Sequence, residues 1–163
     1  MNNNHINSKG QTLIEMVIAT MIIIVVVTAI LGLVTNLLIV SSSSKYKTQA
    51  SFLAQEVIEI VNNIRDTDLN KVLPWGTNFY TNDGWYKLNT YNETTGWTLT
   101  FLSSTQMTDG TTLAFDGKTF NRYIKVSNVG GDANKKEIYV EVQWSESKGI
   151  GIVKESAILT NWQ

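Results

Sequence analysis

The chain has 163 residues, 13 basic and 14 acidic side chains, 43% hydrophobic positions and no cysteine, with a mean hydropathy of -0.05. Without cysteine there is no disulfide framework, no Cys-ligated zinc and no thiol nucleophile. The charge is near neutral and Lys135-Lys136 is the single adjacent basic pair, beside Glu137, so the clustered cations of a phosphate-backbone binder are missing and no nucleic-acid partner is expected.

These averages merge two unlike segments. Lys9 and Glu15 are the only charged residues before Lys45. Met16 to Ser44 is uncharged, and Met16 to Val40 is almost wholly apolar. At about 1.5 Å per residue, a helix of this length exceeds the roughly 30 Å hydrocarbon thickness of a bilayer. A purely soluble, cytosolic chain is therefore excluded on this reading. An ordinary secretory signal has an apolar centre of about 7 to 15 residues followed by small residues at a cleavage site. Ser41 to Ser44 imitate such a site, but the apolar segment is too long for that class.

A plain anchor leaves Glu15 unexplained, because a carboxylate entering an apolar span costs up to about 2.5 to 3.5 kcal/mol. Lys9-Gly10-Gln11-Thr12-Leu13-Ile14-Glu15, followed by the apolar run, resembles the type IV prepilin processing motif. The resemblance implies a leader over residues 1–10, cut by a membrane prepilin peptidase between Gly10 and Gln11 on the cytoplasmic side. It also implies N-methylation of Gln11 and an assembly role for Glu15, which would meet the Gln11 amine of a neighbouring subunit. An ion in a dry helix bundle is costly unless paired, so such a pair would report axial register more than it adds stability. Lys9 at one end of the span and Lys45, Lys47 and Arg65 beyond the other leave orientation undecided by charge. An N-terminus inside follows from the leader motif alone.

Ile22 to Val27 is a β-branched run that is a poor helix former in water, but in lipid a helix is the one single-segment solution. Residues 11–44 read as the transmembrane and assembly helix. Residues 45–69 read as an amphipathic continuation: Ala50, Leu53, Ala54, Val57, Ile58, Val61 and Ile64 recur at three- and four-residue intervals against Gln55, Glu56, Glu59, Asn62 and Asn63. This stripe needs a sheet to cover it. The helix is expected to end near Asp68 to Leu73, ahead of Pro74. Leu53 to Asp68 and the terminal Thr160-Asn161-Trp162-Gln163 are similar to PilV-like minor pilins.

Residues 70–96 read as a helix-to-sheet loop, and 97–163 as a β domain with strands at Trp97 to Leu102, Thr119 to Val126, Glu137 to Trp144 and Ile150 to Leu159. The third alternates Ile138, Val140, Val142 and Trp144 with Tyr139, Glu141 and Gln143, giving one buried and one polar face. The expected fold is thus α+β, a long N-terminal helix on an antiparallel sheet of about four strands, which the resemblance equates with the pilin fold.

No catalytic constellation stands out. His5, the sole histidine, lies in the expected leader. The acid pairs Asp66/Asp68 and Asp83/Glu93 read as surface or capping groups. Asp132-Ala133-Asn134 and Asp116-Gly117 offer oxygen ligands for calcium but read as turns. Trp75, Phe79, Tyr80, Trp85, Tyr86 and Tyr91 offer either a stacking surface or closure of the sheet's open end, the latter preferred. Asn92-Glu93-Thr94 is a formal glycosylation sequon, and Gly149-Ile150-Gly151 precedes a strand, unlike a phosphate loop. No enzyme activity, cofactor or metal is expected.

The expectation is a structural subunit, a minor pilin of a type IV pilus or related filament. Its partners would be the prepilin peptidase, other pilin subunits with their assembly machinery, and inner-membrane lipid before assembly. It would sit as a single-pass protein with its C-terminal domain outside, then in an extracellular pilus or periplasmic pseudopilus. The alternatives are a pseudopilin of a type II secretion or DNA-uptake system, and a single-span anchored domain that never polymerises.

Overall fold

The computed structural model describes residues 8–70, 82–107, 110–146 and 149–161. A helix, α1 (Ser8–Asn70), is followed by six strands: β1 (Gly84–Leu88), β2 (Leu99–Ser103), β3 (Thr111–Phe115), β4 (Lys118–Val129), β5 (Asp132–Glu146) and β6 (Gly149–Thr160). The chain falls into two units divided between Ser44 and Lys45, at the point where charge returns to the sequence.

In the first unit, α1 needs no outside partner for its backbone, since each helical N–H bonds a carbonyl four residues back. Thr12–Thr67 contains a window long and apolar enough to cross a membrane by length and composition.

In the second unit the sheet order is β2-β1-β4-β5-β6, with β3 also paired to β4. All pairings are antiparallel. β3 occupies the Lys118–Arg122 stretch of one β4 edge, and β1 the Ile124–Val126 stretch beyond it. The two short strands therefore lie end to end along one long strand. The β4–β5–β6 meander is the backbone of the sheet, and β5 pairs with β6 without a register shift from Lys135↔Thr160 to Glu146↔Gly149.

The alternation expected for β5 is present: Ile138, Val140 and Val142 are fully buried and Trp144 nearly so. Their partners Val126, Ile124, Arg122 and Phe120 on β4 share that face. Against it packs the second part of α1 through Ala50, Leu53, Ala54, Val57, Ile60, Val61 and Ile64. The expected stripe differs at one place: Ile60 is buried, whereas Ile58 is only partly covered at its margin. Each fully buried Val, Ile or Phe contributes roughly 1.5 to 3 kcal/mol of transfer free energy, which gives a cysteine-free unit a core of its own. At one end Tyr46, Phe120 and Trp144 form an aromatic file, with ring centroids 6.5 and 6.0 Å apart.

The architecture is α+β as expected, but the sheet has six strands instead of about four. β1 lies inside the stretch 70–96 read as loop, and β3 lies between Asp109-Gly110 and Asp116-Gly117 in the sequence. Both have five residues, too short for alternation to outweigh the turn residues around them. The β3–β4 turn is nonetheless a recognisable hairpin signal. Asp116 and Gly117 have φ of 50° and 73°, and a two-residue Asp-Gly turn with both φ positive matches strand twist. α1 ends at Asn70, within the expected window, while Pro74 lies outside the described residues.

Candidate functional site

The first part of α1 stands out because no described residue covers it. Every described side chain from Thr12 to Val40 is exposed, with Met16, Leu38 and Ile24 at 72, 66 and 62% of full accessibility. Three threonine hydroxyls inside this stretch turn inward onto the helix itself. The Thr20 hydroxyl donates to the Val17 carbonyl at 2.9 Å, Thr28 to Ile24 and Val25 at 3.0 and 2.9 Å, and Thr35 to Leu31 at 2.9 Å. Hydroxyls bonded in this way present their methyl groups outward. The surface is therefore apolar in effect as well as in composition, and it requires lipid or protein cover.

Glu15 interrupts it. Its side chain is exposed, and among the described residues no ion pair involves it. Gly10 and Gln11 lie on the α1 backbone two and three residues after its first residue, and the Gln11 side chain lies outside the described residues. His5 lies outside the described residues.

The second unit carries three polar clusters. Arg122, buried on the helix-facing side of β4, donates from Nη1 to the Glu56 carboxylate at 3.0 Å and to the Leu53 carbonyl at 3.4 Å. Burial holds its guanidinium below the usual arginine range, while Glu56 acts in the opposite direction. Lys45 pairs with Asp116 at the β3–β4 turn. On the opposite sheet face, buried Glu141 accepts from Tyr139 Oη and Gln143 Nε2, both at 2.7 Å, with Lys154 at 3.6 Å. Burial pushes its carboxyl up, but the bonds from Gln143 and Tyr139 and the Lys154 charge outweigh that and leave it below the usual range.

The other residues singled out in the sequence take structural positions. Asp116 forms the hairpin turn, and Asp132 accepts from the Asn134 backbone N–H at 2.9 Å. Asp83 accepts from the Asn128 N–H at 3.2 Å and faces Lys136 at 3.7 Å. Asp66 accepts from Arg65 Nε at 2.8 Å. Asn92 Oδ1 accepts from the Thr94 and Thr95 N–H groups in an exposed loop. Of the loop aromatics, Trp75, Phe79 and Tyr80 lie outside the described residues. Tyr86 is a core residue, stacked edge-on with Phe101 at 5.3 Å. Trp85 lies on the other face against Tyr139 at 6.4 Å, and Tyr91 is half exposed beside Trp97. Trp85 and Tyr86 share no surface, because adjacent strand residues point to opposite faces.

Sequence reasoning missed a groove of about 390 Å³ lined by Gln49, Phe52, Leu53, Glu56 and Phe115. A signal for it existed in Phe52, an aromatic on the polar side of the amphipathic helix, but its neighbour Phe115 is brought there only by the β3–β4 hairpin. Comparison of the chain with protein-family models, with curated proteins and with solved structures yields no match.

Proposed function

We propose that the chain is a structural subunit, a minor pilin of a type IV pilus or related filament. It would be held in the cytoplasmic membrane by α1, processed between Gly10 and Gln11 by a prepilin peptidase, methylated at Gln11 and assembled through the apolar helix. The observation that carries this reading is an uncovered, uncharged helical surface with one acid, Glu15, near its start. Lipid covers such a surface but leaves the acid at a cost, whereas neighbouring helices in register cover the surface and supply Glu15 with a counter-charge. Other copies or other pilin subunits are thus the partners, and the sheet-bearing unit is the part displayed outside the membrane.

Intact-mass analysis of the chain purified from membranes tests the processing step. A product beginning at N-methyl Gln11 and retaining the apolar helix is expected, and a product beginning after Ser42 or Ser44 overturns the reading. Glu15→Ala tests assembly: cleavage after Gly10 should persist while incorporation into filaments is lost, and unchanged incorporation removes the role given to Glu15.

A further inference from the structure

We propose that Lys136 and Asn128 become joined through their side chains by an amide bond, an internal cross-link at the end of the β4–β5 hairpin, with Asp83 carrying the proton. The proposal concerns the sheet-bearing unit alone and is independent of the filament reading.

Lys136 occupies a core position. It continues the alternation of Ile138, Val140 and Val142 on the helix-facing side of β5, and its side chain is 8% exposed. Asn128 is its direct cross-strand partner on β4, two residues beyond buried Val126 and so on the same face. The Asn128 Oδ1 is also buried and has no hydrogen-bond partner among the described residues. A buried amine and a buried, unsatisfied amide therefore share one rung of the ladder. Opposed residues of an antiparallel pair have Cβ atoms roughly 4.5 to 5.5 Å apart, a gap that the flexible four-carbon lysine stem crosses by side-chain rotation. Asp83 contacts both residues through one oxygen: its Oδ1 accepts from the Asn128 N–H at 3.2 Å and lies 3.7 Å from Lys136 Nζ. The carboxylate thus holds the amine beside the residue it would attack, which is the positioning that makes an otherwise slow addition accessible.

The step balances within these three groups. Asp83 takes a proton from the Lys136 ammonium, and the freed electron pair forms a bond to Asn128 Cγ. The Cγ–Nδ2 bond then breaks. The departing nitrogen takes one proton from the attacking amine and the one held on Asp83, and leaves as ammonium. No oxidant or co-reactant enters, and a buried ion is replaced by a neutral amide. The bond would close the ladder at its last regular rung, since the register shifts between Asn128 and Val129. In a chain without cysteine, it supplies a covalent closure of the kind a disulfide gives elsewhere.

The full-length chain, purified folded from membranes in detergent, is then denatured and digested with trypsin. The peptides beginning at Val126 and at Lys136 are expected as one branched species, lighter than their sum by one ammonia, with no cleavage after Lys136. Lys136→Met removes the nucleophile. Asp83→Asn, at a half-exposed position, keeps an acceptor for the Asn128 N–H but removes the base. Both variants should give separate peptides, with circular dichroism and tryptophan fluorescence like those of the parent. Separate peptides of full mass from the folded parent overturn the cross-link. So does a loss of ammonia confined to Asn128 with Lys136 still cleaved, or one that persists in Lys136→Met, since either marks a succinimide. Complete linkage in Asp83→Asn overturns the role given to Asp83.

Discussion

Arg122 and Glu56 set up an asymmetry that can be measured. The Arg122 side chain is 4% exposed and that of Glu56 is 49% exposed, and Arg122 Nε is buried with no hydrogen-bond partner among the described residues. Glu56→Ala leaves a guanidinium inside the unit with, among the described residues, the Leu53 carbonyl alone for compensation. Breaking a fully buried pair costs about 3 to 5 kcal/mol, and the half-exposed carboxylate is screened by solvent, so a loss of about 2 kcal/mol is expected. Arg122→Met removes the buried charge and keeps most of the volume, and such replacements are commonly neutral or stabilising. The double variant should therefore behave like Arg122→Met alone. Urea unfolding of the full-length chain in detergent, followed by tryptophan fluorescence, to which Trp144 in the core contributes, reads these differences as shifts in midpoint at constant slope. If Arg122→Met costs more than Glu56→Ala, the guanidinium is a net stabiliser and the desolvation reasoning fails.

Gly151→Ala should destabilise by about 1 to 3 kcal/mol, because the new Cβ would lie 2.2 Å from the Trp144 ring; loss of near-ultraviolet tryptophan dichroism at unchanged β content would report it. For Glu141, whose folded pKa lies below the ordinary 4.5, the stabilisation is complete above about pH 4.5 and is lost as pH falls through the lower folded value. Glu141→Gln should thus unfold more readily than the parent at pH 7, and the difference should close in acid; a gap that widens on acidification refutes the sign. Ile138→Ala, at a fully buried site, should cost about 2 to 5 kcal/mol. Ile158→Ala, at a site 60% exposed, should stay within about 0.5 kcal/mol, with both read as denaturant midpoints.

Much of the fold is legible along the chain where a pattern runs long. The apolar helix needs no tertiary partner to be recognised, and the α1 stripe from Ala50 to Ile64 and the β5 alternation repeat often enough to override the scatter of single residues. β1 and β3 were not legible. Five residues give barely two repeats of a period of two, and these strands exist because β4, twelve residues long, offers them one edge in succession. The candidate site divides in the same way. Gly10, Gln11 and Glu15 are a local spacing and can be read in order, whereas Phe115 lies more than sixty positions after Gln49 and Phe52 and joins them in one groove only when the hairpin folds back.

The sequence alone determined that an uncharged apolar segment precedes a charged, aromatic-rich one, that the first is helical and the second contains a sheet, and that one acid, Glu15, sits at the start of the apolar segment. Those properties depend on neighbours a few residues apart, through helical rise, strand alternation and transfer free energy. The tertiary structure decided which polar groups are compensated: Arg122 by Glu56, Glu141 by Tyr139, Gln143 and Lys154, and Gln49 by no described residue. Whether a buried charge or amide is satisfied depends on atoms brought together from distant strands, and only the folded chain places them within hydrogen-bond reach.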